Sequence, residues 1–82
     1  MAYVVRVTDL DHEERYKFFR ALPDAREVFG MANRAVWLSE RKAAYLYEVP
    51  GEDDPLRARE AVKASNAIIL DRDSPVDGYY LL

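Results

Sequence analysis

Apolar and polar residues alternate at the start of the chain. In Ala2–Thr8 (AYVVRVT), residues 3, 5 and 7 are all apolar, whereas the positions between them include Arg6 as well as Val4. A period of two residues is typical of a β-strand, and one fully apolar side indicates a sheet face that packs on a core. This pattern predicts a first strand over residues 2–8 whose other side is partly polar.

The next segment carries the signals of a helix. Asp11 followed three residues later by Glu14 has the form of a helix N-terminus, where side-chain oxygens cap free backbone N–H groups. We predict a first helix from about His12 to Leu22. Pro23 would end it, because the residue before a proline is pushed out of the helical region.

Residues 34–49 (RAVWLSERKAAYLYEV) have the pattern of a β-hairpin around a polar turn at 39–42. Apolar, β-branched and aromatic residues on both sides of the turn favour strands. Pairing Trp37 with Tyr45 places these rings and Tyr47 on one face, opposite an aliphatic face suited to pack under helices. For residues 24–33 two alternatives stay open, a short helix after Pro23 or an extended lead-in that bends at Gly30, and we favour the second.

The second half of the chain contains a clearer helix start. Asp54 is a good N-cap and Pro55 suits the first helical position, so we predict a second helix from Pro55 to about Ser65. Ala67–Leu70 is apolar on both faces, which predicts a fourth, central strand. The apolar end, Tyr79–Leu82, is a candidate for an additional strand.

The resulting order predicts a single α+β domain over residues 1–82 with the ferredoxin-like βαββαβ arrangement. In that arrangement both helices pack on one face of a four-stranded antiparallel sheet. The opposite face would carry Trp37, Tyr45, Tyr47 and Arg6 and would be left for a ligand or a partner.

Composition limits the class of partner. The chain has 82 residues, no cysteine and a net charge of −3 with both signs interspersed. We therefore expect no disulfide and no thiolate metal site, and neither nucleic acid nor a membrane as a partner, because both favour a basic face. No signal-peptide pattern is visible, so a cytoplasmic location is expected. A chain of this size gains by burying surface against a second subunit, which favours a homodimer.

The aromatic set is the strongest candidate for chemistry. Trp37, Tyr45 and Tyr47 could form a pocket or platform, with Arg6 available for an anionic group, or could simply pack in a dimer interface. His12 is the only histidine and is the weak candidate for a catalytic base, since a helix N-terminus accounts for it equally well. We expect no metal and no cofactor.

The strand order and the stretch KAAYLYEVPGEDDPLRAREAVKAS, residues 42–65, resemble the dimeric α+β barrel superfamily. Its members include antibiotic-biosynthesis-type monooxygenases, muconolactone isomerase-like proteins, and small proteins of unknown or nickel-binding character. The resemblance implies a homodimer whose two sheets face each other. Metal-binding relatives would offer several histidines, and this chain departs from them in having one.

These observations lead to three functional hypotheses. The first is a small protein that binds an apolar or aromatic ligand at the open sheet face of a homodimer. The second is an enzyme of the cofactor-independent monooxygenase type, which would need a base within reach of its substrate. The third is a structural or protein-interaction module whose aromatic face is covered by its partner.

Overall fold

A computed structural model describes residues 1–72, which form four strands and two helices. The elements are β1 (Ala2–Thr8), β2 (Glu14–Phe19), α1 (Leu22–Trp37), β3 (Ala43–Val49), α2 (Pro55–Lys63) and β4 (Ile68–Arg72). The predicted α+β class, four-stranded antiparallel sheet and two helices are confirmed. The candidate strand Tyr79–Leu82 lies outside the described residues.

The sheet has the order β2-β1-β3-β4, and every neighbouring pair is antiparallel. β1 and β2 form a hairpin in which Val5 lies opposite Lys17. The predicted first helix, His12 to Leu22, is thus corrected to a turn followed by strand β2. Asp11 does cap a backbone N–H, but it is that of Glu13 inside this turn. Within residues 1–72, β4 lies at the edge of the sheet, whereas its apolar sequence predicted a central strand.

Helix α1 occupies the segment that was predicted to be extended. Pro23 stands in its first turn, where a missing N–H costs nothing, so this proline begins a helix rather than ending one. Gly30 lies inside the helix, and Trp37 is its last residue. The predicted hairpin over residues 34–49 is therefore wrong in its first arm, whereas its second arm is strand β3.

Each helix packs on a different face of the sheet. Val5 and Leu46 are buried with Phe29 of α1, while Val4 and Tyr47 are buried with residues of α2. Consecutive residues of a strand point to opposite faces, so the fold has three layers with the sheet in the middle. This finding corrects the prediction that both helices lie on one face and leave the other bare.

Helix α2 follows the sequence prediction closely. The Asp54 carboxylate accepts a hydrogen bond from the Leu56 N–H, and Pro55 is the first helical residue. The helix stops two residues before the predicted end, and Ser65 adopts a left-handed conformation just beyond it, which turns the chain toward β4. Neither helix within residues 1–72 is long and apolar enough to cross a membrane.

Candidate functional site

Three of the four predicted ligand residues lie together on the α2 side of the sheet. Arg6 of β1 is the register partner of Tyr45 on β3, and its guanidinium lies 5.5 Å from the centre of the Tyr45 ring. Its Nη1 donates to the Tyr47 hydroxyl at 3.3 Å. The two tyrosine rings are tilted, with their centres 6.0 Å apart. We call Arg6, Tyr45, Tyr47, Glu14 and Tyr16 the sheet-face cluster.

The polar groups of the sheet-face cluster bind one another. Arg6 donates from Nε to the Glu14 carboxylate at 2.9 Å and makes a second, shorter contact through Nη2. The Tyr16 hydroxyl donates to the other Glu14 oxygen at 2.9 Å. Tyr47 is 6% exposed, among the buried residues of the core formed with α2. The polar groups of the cluster are therefore hydrogen-bonded to one another, in a partly buried network that joins β1, β2 and β3.

The network shifts the ionisation of its members. The hydrogen bond from Arg6 holds the pKa of Glu14 below its ordinary value, more than burial raises it. Burial opposes the charge of Arg6, but its bonds to Glu14 and Tyr47 outweigh that effect and raise its pKa. Burial and the bond to Glu14 both raise the pKa of Tyr16. At neutral pH the cluster thus holds one cation, one anion and a phenol that donates to the anion.

Glu14→Gln tests this ion pair through the pH dependence of stability. Because the pKa of Glu14 is lower in the folded protein, its contribution is fully present above the unfolded value of about 4.3 and disappears as the pH falls below it. We expect the variant to lose at most about 1 kcal/mol of unfolding free energy at pH 7 and less than that at pH 3. Urea unfolding at both values measures the difference, with the exposed Glu27→Gln as control. An equal loss at both pH values would contradict the ion pair.

The fourth predicted ligand residue, Trp37, lies elsewhere. It ends α1 and is 39% exposed. Arg26, three helical turns earlier on the same flank of α1, lies 3.9 Å from Asp71 of β4. Trp37 therefore belongs to the flank of α1 that faces β4, on the side of the sheet opposite Tyr45 and Tyr47.

The other flank of α1 borders a groove that the sequence did not indicate. A cavity of about 350 Å³ lies between α1 and the edge strand β2, and we call it the α1–β2 groove. Its apolar side chains come from β1 and α1: Val5, Val7, Val28, Met31, Ala32 and Ala35. Three β2 residues face α1: Arg15, Lys17 and Phe19. Phe19 packs against the core under α1, whereas Arg15 and Lys17 border the groove. These long polar side chains leave the groove between helix and edge strand unfilled.

One end of the groove carries two arginines that share a buried carboxylate. Arg15 Nε lies 2.7 Å from Asp9 Oδ2, and Arg41 Nε lies 3.1 Å from Asp9 Oδ1. Asp9 is 7% exposed, and its hydrogen bond raises the pKa of Arg15. Arg15 comes from β2 and Arg41 from the α1–β3 loop, so Asp9 ties these two elements together.

The remaining titratable candidates lie in the β1–β2 turn. The carboxylates of Asp9, Asp11 and Glu13 lie within 4.8 Å of one another, but Asp9 is already paired with two arginines, whose positive charges oppose a divalent cation there. His12 is exposed in a left-handed conformation, with the Lys42 ammonium 3.3 Å from its Nδ1. It does not belong to the lining of the groove. The role of His12 as a base, and the enzyme hypothesis that needs one, stay predictions.

The comparisons with known proteins add no relative. No family model, curated protein or solved structure matches this chain. The resemblance to the dimeric α+β barrel superfamily therefore stays a prediction, and the site must be judged by its own geometry.

Proposed function

We propose that this protein binds a small apolar or aromatic molecule in the α1–β2 groove. The observation that carries the proposal is the combination of volume and lining: about 350 Å³ bordered mainly by aliphatic side chains of α1 and β1. Sites for small ligands commonly have volumes of roughly 300–1,000 Å³, apolar walls and a few polar groups. The groove is at the small end of this range and suits one or two rings or a short aliphatic chain.

The groove is a better site than the sheet-face cluster predicted from the sequence. In the cluster, a ligand would have to displace the bonds from Arg6 to Glu14 and Tyr47, and breaking a satisfied network costs free energy. In the groove, Met31 is 69% exposed, so a ligand would remove apolar surface from water, which is favourable.

Met31→Gln tests the apolar contact. We expect it to weaken binding roughly fivefold, because part of the apolar burial of one side chain is lost. The control is Leu38→Gln, which changes another exposed apolar residue, at the end of the same helix but outside the groove lining. The measurement is calorimetric titration of the protein with a panel of naphthalene derivatives and medium-chain aliphatic compounds. Equal weakening by the two variants, or no binding across the panel at millimolar concentration, would overturn the proposal.

The sequence predicted a homodimer through an open sheet face, but a helix packs on each face; we propose instead a homodimer in which the β4 edge, as it stands within residues 1–72, is the contact. Ile68 and Ile69 are 50% and 55% exposed on this edge strand. The other edge, β2, carries charges at three of its six positions, and charges are what commonly protect an edge from pairing. Light scattering should show a mass of twice the chain at high concentration, and a monomer at every concentration would refute the dimer.

The cytoplasmic location stays a prediction.

A further inference from the structure

We infer that the ligand of the α1–β2 groove is an organic acid whose carboxylate is bound by Arg15 and Arg41. This inference rests on the proposed function, and it specifies the chemical class of the ligand. The apolar body of the acid would lie along Val28, Met31 and Ala35, with its charged group at the end of the groove that the arginines occupy.

The first support is the sign of the charge along the groove. Three of its lining residues are charged, and all three are cations: Arg15, Lys17 and Arg41. The protein as a whole has a net charge of −3, so this concentration of positive charge is local. Cationic groups beside an apolar wall are complementary to a molecule with an apolar body and an anionic end.

The second support is the hydrogen-bonding capacity that remains on the two arginines. Each makes its ion pair with Asp9 through Nε. Within residues 1–72, the Nη atoms of the pair have one hydrogen bond, from Arg41 Nη1 to the Glu40 carbonyl oxygen at 3.3 Å. Guanidinium groups bind carboxylates in two-pronged geometry, which makes these Nη atoms the natural partners of an acid.

The third support is that the two arginines are held in place before any ligand arrives. The Asp9 N–H donates to the Glu13 carbonyl oxygen at 2.8 Å, and the Asp9 carbonyl oxygen accepts from the His12 N–H at 2.9 Å. The loop that carries Arg41 is joined to β1 by a bond from the Lys42 N–H to the Thr8 carbonyl oxygen at 2.8 Å. Asp9 is thus a positioning residue, and a preset pair of arginines lowers the entropic cost of binding.

Two further carboxylates near the arginines would repel an acidic ligand. Asp11 and Glu13 lie beside Asp9 but outside the groove lining. Both are exposed, so water and salt screen them more than the partly enclosed site. Glu13→Gln, which removes one of these charges without changing the lining, is therefore expected to strengthen the binding of an acid about twofold.

The experiment compares 2-naphthoic acid with its uncharged amide at pH 7 by calorimetric titration of the full chain. We expect the acid to bind about tenfold more tightly, since a charge-assisted hydrogen bond distinguishes the two. Arg41→Gln should remove this preference, so that the acid and the amide bind the variant with similar affinities. Arg34→Gln, an exposed position on α1 outside the groove lining, should retain it. Circular dichroism checks that each variant is folded, and Arg15→Gln replaces Arg41→Gln if the latter is not.

The outcomes separate this inference from the proposed function. Equal affinity for acid and amide, both sensitive to Met31→Gln, would overturn the inference and leave the apolar site intact. Absence of binding by both compounds would overturn both. A preference for the acid that persists in Arg41→Gln, or in Arg15→Gln where that variant replaces it, would place the carboxylate elsewhere and would also overturn the inference.

Discussion

Leu46→Ala is expected to lower the free energy of unfolding by about 3 kcal/mol, because it removes a fully buried side chain and leaves a cavity. Leu46 is 0% exposed and lies at the centre of the core between β3 and α1. A domain of this size has a total stability of only about 5–10 kcal/mol, so the variant should lose a large part of it. Urea unfolding followed by circular dichroism measures the change.

The matched control for this variant is Leu56→Ala. It makes the same chemical change in the first turn of α2, where the side chain is 62% exposed, and should cost less than about 1 kcal/mol. If Leu46→Ala costs as little as this control is expected to cost, Leu46 is not in the core, and the three-layer arrangement would then be wrong.

Ala35→Phe is expected to lower the affinity of the α1–β2 groove for its ligand at least tenfold, because the added ring fills the volume that the ligand would occupy. Ala35 lines the groove from α1. Its carbonyl oxygen accepts hydrogen bonds from the N–H groups of Glu40 and Arg41, and the substitution leaves this backbone contact in place. The affinity is measured by the same calorimetric titration.

Arg34→Phe is the control for the added ring. Arg34 precedes Ala35 on the exposed side of α1, so the new side chain changes helix propensity in the same way without entering the groove. Wild-type affinity in Ala35→Phe would show that the ligand binds elsewhere, and equal loss in both variants would point to a general effect on the helix.

The elements that were predicted correctly are those whose sequence carries a single strong signal. Strand β1 was predicted with its observed bounds, and α2 was predicted from Asp54 and Pro55, whose capping chemistry has few alternatives. Strand β2 was missed because its sequence, ERYKFF, supports two periods. Tyr16 lies on the same face as Phe18 in a strand and on the same face as Phe19 in a helix. The hydrogen-bonded pairing with β1 decides between the two structures.

Helix α1 could have been found from its own apolar stripe. Its core-facing residues are spaced by three and four positions: Leu22, Ala25, Phe29, Ala32 and Val36. Such spacing is typical of a helix. Two other signals outweighed this spacing in the prediction. The β-branched and aromatic residues near Trp37 favoured a strand, and Pro23 was interpreted as a helix end, although a proline is equally compatible with a helix start.

The candidate site depended on these same elements. Arg6, Tyr45 and Tyr47 were correctly brought together because they lie on β1 and β3, two strands that were predicted. Trp37 was misplaced because its segment is helical. The α1–β2 groove could not be foreseen, since it exists only where the unpredicted helix lies beside the unpredicted strand.

Nuclear Overhauser contacts between bound 2-naphthoic acid and the protein's methyl groups test the central claim most directly. We expect contacts from the naphthalene protons to the methyl groups of Val28, Met31 and Ala35, which line the groove. No contacts are expected to the ring protons of Tyr45, on the opposite face of the sheet. Contacts to Tyr45 in place of the groove methyl groups would contradict the account.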